Sequence, residues 1–381
     1  MPGIKQVASF TTSIESELKD LVVRINGYEL ESNSILDIQI NYGEPSKIGS
    51  ILFMDNINLL ETLYANIGDI LIEYKDFNDV PYIETFSITR IMKSQGKENA
   101  PGINITFENT MTTKLKNTFT NFTFMNKSAS EILEDISISL ELELVILHDK
   151  EAEKFENVVV PTNVDLWSWM NNFIEMHGLK MFSDKYITYI AATTILNYED
   201  IKDSVEISYQ EEDKADSYRR IQEYANVLLD RNSLRDCPSH NIQSFNNENS
   251  IIIPEYIENE DVYNKQKMNY GNGFDSNGKM FSVFPTLGRQ TFGPYLKNFN
   301  DNRYVDALNT NQSSEITIGG INLDKIYSKI VLNLSRAGNK TGFDELASGV
   351  YIITGVVDKI NNNKFYSVIT LQRSDYMKRE S

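Results

Sequence analysis

The chain has little of what most enzymes and secreted scaffolds rely on. One cysteine, Cys237, stands in 381 residues. That excludes an intrachain disulfide framework and a cysteine-rich zinc site, and it fits synthesis in a reducing cytosol. There are three histidines, His148, His177 and His240. They form no His-x-x-x-His pair, and no glutamate follows them in the zincin pattern. His148 is expected to end a strand and His177 a helix, where a positive charge is favourable. Proline is sparse, with nine residues, which leaves strands uninterrupted. Long apolar runs are missing: no stretch approaches the ~20 residues of a membrane-spanning helix. The start, Met-Pro-Gly-Ile-Lys-Gln, has no basic-then-apolar signal pattern. The expectation is a protein soluble when made, with no direct membrane insertion.

Positive charge is also in short supply. Lys and Arg number 36 against 54 Asp and Glu, a formal net charge of −18. This opposes non-specific binding to nucleic acid, whose affinity comes from clustered Lys and Arg, and docking on anionic lipid. Solubility is the plain reading of the charge. A sharper one is a lumen that repels DNA, so that genomic DNA slides through without specific binding.

Signatures of chemistry are absent. Gly271-Asn272-Gly273 is followed by Gly278, which misses the dinucleotide spacing, and no strand precedes it. Asp275-Ser276-Asn277-Gly278 hints at a calcium loop without its ligand ladder or terminal Glu. Cys237 lies beside Pro238 with His240 three residues on, but a working thiolate–imidazole pair needs an orienting third group. Carboxylates are everywhere and no pair stands out for glycoside hydrolysis. No catalytic residue, cofactor or metal is expected, and the chain is not expected to be an enzyme.

What the chain does have is Tyr and Phe, 20 and 19 of them, with many Ile and Val, residues that suit pleated, half-buried surfaces. Residues 18–110 read as strands: Leu21–Ile25 into the turn Asn26-Gly27, Ile35–Ile40, Ser50–Phe53, Asp69–Tyr74, Tyr82–Ile91 and Ile103–Phe107, with Leu59–Tyr64 a helical turn or loop. The separators are Gly, Pro, Asn and Asp, which points to an antiparallel barrel or sandwich. The period then changes. Ile132, Leu133, Ile136 and Leu140 share a helical face, capped by Asn126 or Ser128. Leu142–Leu147 reads as a strand. A second helix is predicted from Val164 to His177, capped by Thr162 or Asn163 and stopped by Gly178. Lys180–Ser183 and Tyr186–Ala191 make a hairpin about Asp184-Lys185. Val205–Tyr209 and Tyr218–Leu229 read as a strand pair. Residues 231–315 are rich in Asn, Gly, Ser and Tyr and read as loop, with a short helix at Arg303–Leu308. Strands return at Ile316–Ile318, Lys329–Leu334, Val350–Asp358 and Lys364–Arg373.

The only tryptophans are Trp167 and Trp169. Two apart on a helix, they cannot share a face. Trp169 fits the apolar face with Phe173 and is expected in the core. Trp167 is pushed sideways, toward packing within the chain or a contact with a neighbouring domain or subunit.

The order of these blocks carries a resemblance. Gly49-Ser50-Ile51-Leu52-Phe53-Met54-Asp55 with Asn58 to Leu63 behind it, then Gly68 to Tyr74, followed by the Trp167–Phe173 helix and its hairpin, then Ile316-Thr317-Ile318-Gly319-Gly320 and the terminal hairpin, resemble the baseplate hub proteins of T-even contractile phages. More distantly they resemble the base of type VI secretion spike proteins. The likeness covers roughly residues 20–230 and 310–375; residues 231–315 do not match, and there is no fused lysozyme segment. It implies a mainly β fold with α+β insertions: two antiparallel β-barrel domains of tail-hub type with small helix–strand domains between them. The first barrel would span 1–115, the inserted α+β region 116–204, and the second barrel 205–230 with 310–376, around a loop-rich insertion at 231–309. The implied function is a structural hub of the virion's tail baseplate, made in the bacterial host cytoplasm. A homotrimer would form a pseudo-six-fold ring joining a hexameric tail tube, or tube initiator, above to a trimeric spike below, among other baseplate proteins. Two other readings stay open: a β-rich carbohydrate-binding or adhesin protein using residues 231–315, and an enzyme using scattered carboxylates.

Overall fold

The computed structural model describes residues 16–17, 19–55, 59–65, 67–75, 81–94, 102–147, 154–177, 179–192, 205–209, 221–227, 241–246, 251–253, 281–286, 313–319, 326–334, 348–361 and 364–373. The fold is mainly β, with one large, mostly antiparallel sheet and four short α-helices among the described residues.

The N-terminal strands are β1 (Ser16–Glu17), β2 (Lys19–Ile25), β3 (Tyr28–Glu29), β4 (Ile35–Gly43), β5 (Ile48–Met54), β6 (Asp69–Lys75), β7 (Pro81–Ser94) and β8 (Gly102–Asn109). Apolar residues alternate along them, so Ile38 and Ile40, Ile51 and Phe53, Ile70, Ile72 and Tyr74, and Ile103, Ile105 and Phe107 all point into one core. Helix α1 (Leu59–Ala65) joins β5 to β6, and the Asp55 carboxylate caps it by accepting from the amides of Leu59 and Leu60 at 2.7 and 3.1 Å. The ladder runs β3–β2–β6–β7–β8–β5–β4, antiparallel throughout.

The middle of the chain contains α2 (Thr110–Lys116), β9 (Thr123–Lys127), α3 (Ala129–Ser139), β10 (Leu144–Leu147), β11 (Phe155–Val159), α4 (Leu166–Met176), β12 (Leu179–Ser183) and β13 (Thr188–Ala192). It has its own core, centred on Leu115, Ile132, Leu133, Ile136, Leu166 and Met170. The hairpin β12–β13 serves both cores. On one face Phe182 and Ala191 join the core of the end strands; on the other Leu179, Met181 and Ile190 join the middle core.

Further on come β14 (Val205–Tyr209), β15 (Ile221–Val227), β16 (Asn241–Asn246), β17 (Ile251–Ile253), β18 (Phe281–Thr286), β19 (Ser313–Gly319), β20 (Lys329–Leu334), β21 (Gly349–Asn361) and β22 (Lys364–Arg373). Two sequence expectations change here. Strand β14 does not pair with β15; it lies parallel to β20, and β15 pairs with β19. Inside the stretch read as loop, β16, β17 and β18 form a separate small sheet. The helix expected at Arg303–Leu308 lies outside the described residues.

The long hairpin β21–β22 ties the two ends of the chain together. Along one edge of β21, Gly349–Ile352 pair with β20, and Gly355–Asn361 then pair with β4, from Gly355 opposite Gly43 to Asn361 opposite Asp37. Strand β22 pairs with β21 along its length, with β19, and at Lys364 and Phe365 with β1. First-block and last-block strands therefore share one sheet and one hydrophobic core.

Candidate interaction cleft

The partner change along β21 leaves a fork in the sheet, and a cleft of about 650 Å³ opens there. A bulge between Ile353 and Gly355 bends β21 at the fork. On the facing strand Gly43 has φ +141°, and a Cβ placed on it would lie 3.1 Å from the Thr354 carbonyl oxygen. Only glycine suits that position. The walls come from three distant parts of the sequence: Asn41 to Ser46 and Ile48; Glu108, Thr112 and Lys116 with Trp167 and Lys180; and Thr354, Gly355 and Gln372.

Two lysine–glutamate pairs line the cleft in opposite senses. Lys116 Nζ lies 2.5 Å from Glu108 Oε2, with the lysine 45% exposed and the glutamate 9%. Lys180 Nζ lies 3.0 Å from Glu44 Oε1, with the lysine 15% exposed and the glutamate 41%. Lys180 also donates to Tyr327 Oη at 3.2 Å. Helix α2, which the sequence reading missed, places Thr112 and Lys116. Its start is signalled by Asn109, whose side chain accepts from the Met111 amide at 2.8 Å.

Trp167 sits on this cleft. At about 100° per residue, the buried positions of α4 (Leu166, Met170, Phe173 and Ile174) form one face, and the two tryptophans flank it on opposite sides. Trp167 packs half-buried against the middle core, with Lys116 Nζ 5.9 Å from its ring centre. Trp169 stacks on Phe173 at 4.7 Å and packs against the middle core as expected, though half-buried rather than enclosed. The α4 cap differs: Asp165, not Thr162 or Asn163, accepts from the Ser168 amide at 2.8 Å. That bond and a second from the Ser168 hydroxyl hold its carboxyl below the usual range.

Behind the cleft lies a buried polar cluster that joins the same three regions. Lys47, between Ser46 and Ile48 of the first-block wall, is buried and lies 2.5 Å from Glu84 Oε1. Its ammonium also donates to the Lys185 carbonyl at 3.2 Å. Tyr82 Oη donates to Glu84 Oε2 at 2.5 Å. From the β12–β13 turn, Lys185 Nζ reaches 5.2 and 5.3 Å from the ring centres of Tyr74 and Tyr82. From the last block, Ser367 donates to Asp358 Oδ1 at 2.6 Å. Burial pushes the carboxyls of Glu84 and Asp358 above the usual carboxylate range, opposed by Lys47 and Lys185 respectively. Breaking such a buried pair from one side is costly, so the cluster fixes how the regions meet.

His177 lies where the sequence reading put it, at the C-terminus of α4, but not in the charge state expected. Burial lowers its pKa to about 4, and the neutral ring packs between Phe155 and Phe173. His148, His240, Cys237 and the segments Gly271–Gly273 and Asp275–Gly278 lie outside the described residues. Among the described residues no group of three His, Cys, Asp or Glu is placed to hold a metal ion, and no helix is long and apolar enough to cross a membrane.

No protein-family model matches the chain, and no curated protein matches it by sequence. Solved structures do. The 43 kDa tail protein of prophage MuSo2 from Shewanella oneidensis superposes with a TM-score of 0.59 at 11% identity, covering 93% of this chain and 98% of that one. The tail protein from Neisseria meningitidis MC58 gives 0.58 at 9% identity, covering 93% and 96%. An E. coli component of the type VI secretion system, itself structurally similar to T4 bacteriophage tail proteins gp27 and gp5, gives 0.51 at 10% identity, covering 93% and 77%. At these identities the likeness is one of fold. The chain has the fold of these phage tail proteins, and the resemblance read from the order of its blocks holds at that level.

Proposed function

We propose that the chain is a structural hub of a phage tail baseplate, acting as an adaptor and carrying out no reaction of its own. The observation that carries this reading is the end-to-end match to a phage tail protein, which spans 93% of this chain and 98% of the other. A homotrimer would close a ring between a hexameric tube, or tube initiator, and a trimeric spike, with other baseplate proteins around it. The chain would be made in the bacterial cytoplasm and reside in the virion tail.

The pseudo-six-fold character of the ring requires two barrels per subunit. The strand pairings favour one barrel built from β1 to β8 with the adjoining parts of β21 and β22, because β1 meets β22 while β4 meets β21. A second would use β14, β15, β19 and β20 with the remaining parts of the same hairpin. The α+β region, 116–204, and the insertion, 231–309, would project from this pair. The net charge of −18 suits a channel that passes DNA without holding it.

Light scattering coupled to size exclusion tests the proposal. The expected mass is about three times the 43.7 kDa of one chain, with rings visible by electron microscopy. A monomer at every concentration that binds glycans as an isolated chain would overturn it in favour of an adhesin.

A further inference from the structure

Every charge on the walls of the cleft at the sheet fork is met within the chain. Glu108 takes Lys116 on Oε2 at 2.5 Å and the Thr113 hydroxyl on Oε1 at 2.9 Å, and Lys180 pairs with Glu44 at 3.0 Å. With two lysines against two glutamates the lining is neutral, in a chain whose net charge is −18. What the walls leave unpaired is uncharged. Asn41, Ser46 and Gln372 line the cleft, and their side chains make no hydrogen bond among the described residues. Thr112 lines it too; it is 1% exposed, and its Oγ1 is buried with no partner among the described residues. Apolar surface adjoins these groups. Register sets Asn41 opposite Ile48 and Ile48 opposite Glu108, so the three share one face of β4, β5 and β8. Glu108 in turn holds Lys116, whose Nζ lies 5.9 Å from the centre of the Trp167 ring. We propose that this cleft binds a neutral saccharide.

The unpaired groups decide among the classes of occupant. A nucleic-acid strand or another phosphate-bearing ligand draws its affinity from unpaired cations, and both lysines of the cleft already hold a carboxylate. A purely apolar ligand would desolvate Asn41, Ser46, Thr112 and Gln372 without pairing them, which is costly for each group. A sugar ring carries hydroxyls around its edge, which both donate and accept, and C–H groups on its face. The amides of Asn41 and Gln372 and the hydroxyls of Ser46 and Thr112 also donate and accept, so they match the edge. The indole of Trp167 and the side chain of Ile48, which is 47% exposed, supply apolar surface for the face. The volume, about 650 Å³, falls in the range of small-molecule sites, about 300–1,000 Å³, and suits a short oligosaccharide. The site is separate from residues 231–315, where the sequence reading placed a carbohydrate surface. It goes beyond the adaptor reading and stands without it, because its chemistry depends on the lining alone.

Isothermal titration calorimetry of the full-length chain with maltotriose, cellotriose and triacetylchitotriose tests this. The first two stand for plain hexose glycans and the third for polymers of acetylated amino sugars. At least one should bind with a Kd below about 1 mM. Its affinity should be the same at about 0.05 and 0.5 M salt, because no unpaired charge contributes. Trp167→Ala should weaken binding by about 30-fold, the size of a hot-spot anchor. Trp167→Phe, which keeps a ring against the middle core, should weaken it less and serves if the alanine variant unfolds. Asn41→Ala and Gln372→Ala should each cost about fivefold, the worth of a hydrogen bond. Thr112→Val removes the unpartnered hydroxyl at nearly constant shape. It should weaken binding by a similar factor yet raise the urea midpoint of the free chain, opposite signs that a merely structural role would not produce. No saturable heat with any of the three sugars up to about 10 mM would overturn the proposal. So would sugar binding indifferent to all of these variants, or salt-sensitive binding of single-stranded DNA that they remove. The solution mass of the same samples separates the two readings. A trimer without sugar binding sinks the cleft alone; a monomer that binds sugar through these residues leaves the cleft standing and sinks the hub alone.

Discussion

At the C-terminus of α4, the His177 ring lies 4.8 Å from the Phe155 ring centre and 4.3 Å from that of Phe173. The helix dipole favours a cation at that end by less than about 1 kcal/mol at an ordinary surface site. Burying the charge between two aromatic rings costs more, and the pKa falls to about 4 from 6.5. The sign for stability follows. The folded chain binds the proton less readily than the unfolded one, so this contribution is present above about pH 6.5 and is lost as pH falls toward 4. At pH 5 the loss is on the order of 2 kcal/mol. In His177→Phe this component should vanish. Urea midpoints measured at pH 7 and pH 5 should therefore converge relative to wild type, and an unchanged pH dependence would sink the assignment. The position of His177 was legible in the sequence, because Gly178 marks the helix end. Its charge state was not, because Phe155 reaches it from β11, a strand the sequence reading did not find.

Elements were legible where local chemistry agrees with the fold and obscure where tertiary pairing decides. Asn26-Gly27 forms the expected turn, with both residues at positive φ, 50° and 83°. Helix α3 begins where a Ser and a Glu three residues on announce it: Ser128 Oγ accepts from the Glu131 amide at 3.2 Å, and Glu131 Oε2 accepts from the Ser128 amide at 2.7 Å. Ser128→Ala should therefore lower stability by about 1 kcal/mol, whereas Ser128→Asp, which also caps, should sit close to wild type. Chemical denaturation followed by circular dichroism distinguishes the two; equal losses would mean that the hydroxyl is not the cap. Other elements had no such signal. The seven residues of α2 are too short for a clear apolar period. The parallel partnership of β14 with β20 joins segments more than a hundred residues apart, and nothing in either strand names the other. The cleft falls in this second class: its residues belong to elements that are individually readable, but only the switch of β21 from β20 to β4 brings them to one place.

For the whole molecule, the question is whether the parts fold as one. Strands from both ends of the chain contribute to one sheet, and the β12–β13 hairpin places Phe182 in the end-block core and Met181 in the middle core. The polar cluster adds a second tie, with Lys185 of that hairpin set over Tyr74 and Tyr82. If these ties couple the parts, damage far from the middle region should reach it. Val356, opposite Tyr42 on β4 and Ile369 on β22, is almost fully buried. Val356→Asp puts an unpaired carboxylate into that sheet, a change among the most damaging a core can take. The chain's only tryptophans, Trp167 and Trp169, both lie on α4, so their fluorescence follows the middle region, while far-ultraviolet circular dichroism follows mainly the sheet. Both midpoints should fall together in Val356→Asp, as coincident transitions require of a cooperative unit. A fluorescence midpoint left at its wild-type value while the sheet signal drops would mean that the middle region is an independent domain. The cleft would then lie across a joint that opens on its own, and anything bound across it would have its affinity scaled by the fraction of time the joint is closed.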